Sequence, residues 1–322
     1  MIPFRLASLA IGLAASVLAS SASAQAWPTK PIRLVVPFSA GGANDLMARA
    51  AAEGASKQLG QPVVIDNKPG AGAILGADVV AKSAPDGYTF LVSAAGVVSN
   101  SMIKKNMPYK DDALVPVAMI ALAPSVVVVP ANAPYKDLRE FVAASKQSAN
   151  GFHWATAGTG STPHFVEGIL QTKYGGKLDV VPYKSGSESI TAVLGNQVEA
   201  TSEASIVVLP YIKSGKLKAL AGTWTQRISA YPQLPTAAEE GFPEIRIAHW
   251  AGVHAPRGTP DAILDKMAAA IDAAMKTPAT AEHLKGMGIE PIGGTRASFT
   301  KFVDEERARL GGVVKATGMK ED

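Results

Sequence analysis

Cysteine is absent from all 322 positions of the chain. That removes disulfides, thiolate metal sites, a cysteine nucleophile and a lipidated cysteine anchor. Charge of one sign is also scarce: 31 Lys+Arg against 27 Asp+Glu leave +4, with no clustered basic patch, so nucleic acid is not an expected partner. Beyond the first residues no long apolar run lacks charges or prolines, so no membrane span is expected. Aromatics are few at 6%, but 47% of the residues are hydrophobic and 18% charged, which excludes a disordered chain. The length suits two domains, each with its own core.

Residues 1–24 read as a secretory signal. Arg5 supplies the positive start, Leu6 to Leu18 is apolar apart from Ser8, Gly12 and Ser16, and Ala22-Ser23-Ala24 offers a small-x-small cleavage site. Ala24-Gln25-Ala26 is a second possible site. The competing reading, a membrane anchor, needs about 20 apolar residues, more than this stretch provides. The expected product is a soluble protein of a bacterial periplasm.

From Ile32 onward, short β-branched runs alternate with Ala-rich helical stretches. The strand runs are Ile32–Val36, Val63–Asn67, Thr89–Val92, Val126–Val129, Phe152–Ala155, Leu178–Val181, Leu217–Gly222 and Ile245–Val253. Such alternation predicts an α/β fold with buried parallel sheets covered on both faces. After Thr259 the pattern becomes helical. The apolar segments Met119–Pro130 and Ile245–Pro256 each end in proline and read as two connectors between lobes. The expected division is lobe 1 at 27–123 plus 248–322 and lobe 2 at 124–247, with a ligand in the cleft at the carboxyl ends of the strands.

Three strand-to-helix loops are candidates for that ligand. The first is Pro37 to Asp45, with Phe38, Ser39, Ala40, Gly41, Gly42 and Asn44. The second runs from Ala157 to His164 and includes Thr159, Gly160, Ser161 and Thr162; the third contains Tyr183, Lys184 and Ser185. Glycines let backbone N–H groups turn inward, and each loop sits at the positive end of a helix dipole, which favours an anion. Asn44 or Asp45 can cap the first helix, or Asp45 can touch ligand. His164 either packs behind its loop or contacts ligand. Lys184 is either solvated or opposite the anion, and Phe38 and Tyr183 are core or cleft wall.

Enzyme signatures fail. There is no G-x-S-x-G elbow, Gly70-Ala71-Gly72-Ala73-Ile74-Leu75 lacks the last Gly of a dinucleotide fingerprint, and the five His form no H-E-x-x-H pair. No catalytic residue, metal or cofactor is expected.

The loops and their surroundings resemble a known family, the periplasmic solute-binding receptors of tripartite tricarboxylate transporters, or Bordetella uptake gene (Bug) family. The matching segments include Trp27-Pro28-Thr29-Lys30-Pro31-Ile32, Val36 to Gly42, Asp66-Asn67-Lys68-Pro69-Gly70-Ala71-Gly72 and Pro85-Asp86-Gly87-Tyr88-Thr89. They continue through Gly158 to His164, Val181-Pro182-Tyr183-Lys184, Gly215 to Ala221, and Ala255-Pro256-Arg257-Gly258-Thr259-Pro260. The resemblance covers essentially the whole mature chain. It implies a two-lobed Venus-flytrap (type II) periplasmic-binding-protein fold with two chain crossovers, a monomer that hands an organic carboxylate to integral-membrane permease subunits. One ligand carboxylate would lie between the Gly41-Gly42 loop and the Gly158–His164 loop, with Ser93 and the Tyr183 loop lining the same cleft. Di- or tricarboxylates and aromatic carboxylates such as phthalate or terephthalate are the expected ligands. The third loop departs from the family: Ser185 stands where Gly is usual, Glu188 where Pro is common and Asn196 where Gly is frequent. A sensor subunit or an enzyme on the same fold is the alternative class.

Overall fold

In a computed structural model describing residues 27–320, the β-branched runs form strands near their expected positions. The signal segment 1–24 lies outside the described residues. Strands β1 (Ile32–Val36), β2 (Val63–Asn67) and β3 (Thr89–Ser93) pair in parallel in the order β2-β1-β3. Strand β9 (Ala248–Pro256) then joins β3 antiparallel, and β4 (Leu114–Pro130) joins β9 antiparallel.

Strand β4 is 17 residues long and buried along nearly all of its length. From Leu114 to Pro124 it pairs with β9. From Ser125 onward its partners change to β7 (Ala200–Ala204) and β8 (Leu217–Gly222), both antiparallel. Beyond β7, strands β5 (Phe152–Thr156) and β6 (Leu178–Pro182) pair in parallel and complete a second group. The expectation of parallel sheets is therefore corrected: both groups are mixed. A strand buried on both faces shows the same unbroken apolar run in either direction, so periodicity cannot distinguish them.

The helices in chain order are α1 (Ala43–Leu59), α2 (Ile74–Ala81), α3 (Ala95–Ile103), α4 (Leu138–Gln147), α5 (Thr162–Tyr174), α6 (Gly186–Leu194) and α7 (Ser205–Lys213). The tail contributes α8 (Asp261–Lys276), α9 (Pro278–Gly286), the two-residue strand β10 (Glu290–Pro291) on β4, and α10 (Arg296–Thr317). Helix α1 presses on α8 so closely that a Cβ on Gly54 would lie 2.4 Å from the Ala274 Cβ. Helix α10 crosses both strand groups. Its Phe299 meets the Trp250 ring of β9 edge-on, whereas Leu310 shares a buried cluster with Trp154 and Phe165.

Two elements had no clear sequence signal. Helix α3, Ala-Gly-Val-Val-Ser-Asn-Ser-Met-Ile, opens on Ala-Gly and interrupts its apolar residues with Ser-Asn-Ser, and β7 reads as polar, Ala-Thr-Ser-Glu-Ala, although every residue in it is buried. Thr201 resolves part of this by donating its hydroxyl hydrogen to the Ala155 carbonyl at 2.8 Å.

Candidate binding site

The β1–α1 loop turns at Gly41, whose φ of +80° suits a residue without Cβ. Helix α1 therefore begins earlier than the polar residues suggest. Gly42 is its N-cap, with no side-chain cap bond, so neither Asn44 nor Asp45 caps it. Asp45 instead reaches back from the first turn. Its Oδ2 accepts the Gly41 N–H at 2.9 Å and the Arg49 Nε–H at 2.8 Å, and its Oδ1 accepts from Asn67 Nδ2 at 2.9 Å. Burial alone would raise the Asp45 carboxyl, but the Arg49, Asn67 and Gly41 hydrogen bonds outweigh it and hold the group below its usual value. Asn44 donates to the Trp250 carbonyl at 2.9 Å and ties the loop to β9.

The β5–α5 loop is shaped by Gly158 and Gly160, with φ of +98° and +74°. Ser161 is the N-cap of α5, and its hydroxyl donates to the Gly158 carbonyl at 2.6 Å. His164 Nδ1 accepts the Gly160 N–H at 3.1 Å, so its ring braces its own loop. In the third loop, Ser185 Oγ accepts the Glu188 N–H at 3.3 Å while Glu188 Oε2 accepts the Lys184 N–H at 3.1 Å. Two departures from the family pattern, Ser185 and Glu188, thus cap α6 and tie its first turn back to Lys184. The third, Asn196, sits at φ +52°, where glycine would be unstrained.

These loops meet. Ser99 on α3 donates to the Gly160 carbonyl at 3.4 Å, and a Cβ on Gly72 would lie 3.1 Å from the Thr159 carbonyl oxygen. Beside the contact lies a partly enclosed chamber of about 60 Å³. Its walls include Phe38, Ser39, Gly42 and Asn44 from the first loop, Thr159, Ser161 and Thr162 from the second, and Ser185 from the third. A larger, more open space of about 580 Å³ lies outside it, bordered by Tyr183 and Lys184 and sharing Phe38 and Thr159 with the inner chamber.

The remaining sequence candidates line neither space. Ala40 and Gly41 are exposed, while Asp45, Gly160 and His164 support the loops. Ser93 is fully buried, its hydroxyl 2.7 Å from His254 Nδ1. The chamber instead uses the residues after it, Ala94, Ala95 and Gly96, at the start of α3. Four helix N-termini, those of α1, α3, α5 and α6, therefore border one partly enclosed volume. Among the described residues no Lys or Arg lines it. Oriented N–H groups and hydroxyls in a low-dielectric cavity suit an anion.

Two wall residues carry no sequence signature. Glu203 on β7 and His249 on β9 are 3% and 9% exposed, with His249 Nε2 3.7 Å from Glu203 Oε2. Glu203 Oε1 and His249 Nε2 have no hydrogen-bond partner. Desolvation pushes the Glu203 carboxyl up to about 8, against the pull of the Ala204 backbone, and pushes His249 down to about 4.

The profile described as the tripartite tricarboxylate transporter family receptor matches residues 47–319. Protein BugT of Bordetella pertussis is 35% identical over 318 residues, covering 98% of each chain. Among solved structures, an R. palustris protein with adipate superposes with a TM-score of 0.87 at 31% identity, covering 91% of this chain and 99% of that one. MatC from Rhodopseudomonas palustris with bound malate gives 0.83 at 30% identity, covering 89% and 100%. These neighbours are periplasmic solute-binding receptors, not enzymes, and they share the two-lobed fold. Matched along nearly its whole length in sequence and in three dimensions, the chain belongs to the tripartite tricarboxylate transporter receptor family of periplasmic solute-binding proteins.

Proposed function

We propose that this receptor captures an organic carboxylate between two lobes and delivers it to the integral-membrane permease of a tripartite tricarboxylate transporter. The observation that carries the reading is the convergence of four helix N-termini on one chamber that no Lys or Arg lines. Such a site neutralises a carboxylate through main-chain donors and hydroxyls, and it comes apart when the loops separate. The lobes are residues 27–123 with 248–322, and 124–247, with the last turns of α10 clasping the second. Ligand would contact Ser39, Gly42 and Asn44 on one side and Thr159, Ser161 and Thr162 on the other. The relatives solved with adipate and malate favour aliphatic dicarboxylates as first candidates, with phthalate and terephthalate next.

Thermal-shift screening of the mature protein against malate, adipate, citrate, phthalate and terephthalate tests this. A true ligand at a hundredfold excess over its Kd adds about 2.7 kcal/mol, or a Tm rise of roughly 5 °C for a protein of this size. A panel that leaves Tm unchanged throughout overturns the carboxylate reading.

A further inference from the structure

Glu203 is an anomaly in a chamber built for anions. Its carboxyl forms part of the chamber wall, 3% exposed, with Oε1 unpartnered. A side chain at position 186 would collide with it: a Cβ there would lie 2.4 Å from Glu203 Oε2, so Gly186 leaves the space the acid occupies. The nearest titratable side chain, His249, is 3.7 Å away, beyond hydrogen-bond reach.

Glu203 lines the same chamber as the N–H groups and hydroxyls of the loops, so a carboxylate seated on them comes close to this acid. Two like charges brought close in a desolvated cavity cannot both persist, and one group holds a proton. The ligand carboxylate has the helix N-termini to stabilise its charge; Glu203 has no cation in contact. We propose that Glu203 stands in the chamber as a neutral carboxylic acid and donates a hydrogen bond to the bound carboxylate, so that capture is confined to the pH range in which Glu203 keeps its proton. The inference rests on the carboxylate reading above.

The groups facing Glu203 agree with this role. On β9, His249 is pushed down to about 4 by burial and stays neutral through the working range; its ring hydrogen-bonds the Ser202 backbone. From β4, the residue opposite is Val126. Helix α7 presents Val207 and α6 presents Gly186. On α5 the buried acid is Glu167, pushed up to about 7 by burial with Asp179 as its electrostatic neighbour. Lys184 and Glu188 border the outer space. The N-terminus of α6 pulls toward an ionised Glu203, but a helix dipole acts on a charge less strongly than desolvation of a fully buried carboxylate.

The test is isothermal titration of whichever of malate, adipate, phthalate or terephthalate binds, from pH 7 to 9.5, where their carboxyl groups are ionised. Wild-type affinity should be flat at the acid end and fall by about tenfold per pH unit above the Glu203 value of about 8. Glu203→Gln, whose amide is a permanent donor, should bind at pH 7 within a few-fold of wild type and lose the alkaline fall. Glu203→Leu should bind at least tenfold more weakly at pH 7. A ligand-free infrared difference between wild type and Glu203→Gln at pH 7 should show a protonated carboxyl band.

Affinity that stays flat or rises with pH overturns the inference. So does an ionised Glu203 at pH 7. A panel in which nothing binds overturns the carboxylate reading itself and this inference with it. If Glu203→Gln does not fold, the wild-type pH profile alone still decides.

Discussion

Asp45 shows how a loop residue can shape a binding site without facing it. Its carboxylate gathers Gly41, Arg49 and Asn67, and Asn67 in turn donates to the Phe38 carbonyl at 3.0 Å, so one acid holds the whole turn. Because its folded value is depressed, it stabilises the fold above its ordinary value of 3.8, and that contribution is lost as pH falls through the lower folded value. Asp45→Asn should therefore cost about 1–2 kcal/mol at neutral pH by urea unfolding, with the gap to wild type closing below pH 3.8. A gap that persists unchanged at pH 3 would assign the loss to packing rather than charge.

At the scale of elements, the loops are held by what touches them from the other side. Gly160 has φ +74°, and a Cβ there would lie 2.9 Å from Ile103 Cδ1 and 3.2 Å from Ser99 Oγ on α3. Gly41, at φ +80°, has nothing within 4 Å of where a Cβ would go. Gly160→Val should thus prevent the second loop from seating against α3 and weaken ligand binding by at least tenfold, about 1.4 kcal/mol. Gly41→Ala should act only through backbone strain of about 1–2 kcal/mol. Parallel titration and unfolding of the two variants separates these effects; equal affinity losses would show that the α3 contact does not matter.

For the whole molecule, the long strand β4 matters most. It belongs to one strand group up to Pro124 and to the other from Ser125, and β9 runs beside its first part. Bending at these two strands would open the cleft while leaving each core intact, and a ligand touching both sides would favour closure. Small-angle scattering should show a radius of gyration that falls when a bound carboxylate saturates the protein. An unchanged radius in the presence of a proven ligand would rule out closure at this hinge.

Much of this was legible in the residues. Eight β-branched runs became strands, and Gly41, Gly158 and Gly160 took positive φ, because strand propensity and glycine's freedom act over a few residues. The three strand-to-helix loops also converge, although six candidates line neither space: Ala40 and Gly41 are exposed, Ser93 is buried against His254, and Asp45, Gly160 and His164 brace the loops. Strand direction, α3 and β7 were not legible, since a run buried on both faces carries no polarity and β7 hides polar residues inside. Glu203 and His249 are 46 positions apart in sequence and meet only because β4 brings β7 and β9 to its two halves. Local chemistry therefore determined the loops and the helix N-termini that suit an anion. Long-range strand pairing decided which acid shares the chamber with it, because burial, and with it the protonation of Glu203, exists only once the sheets have assembled.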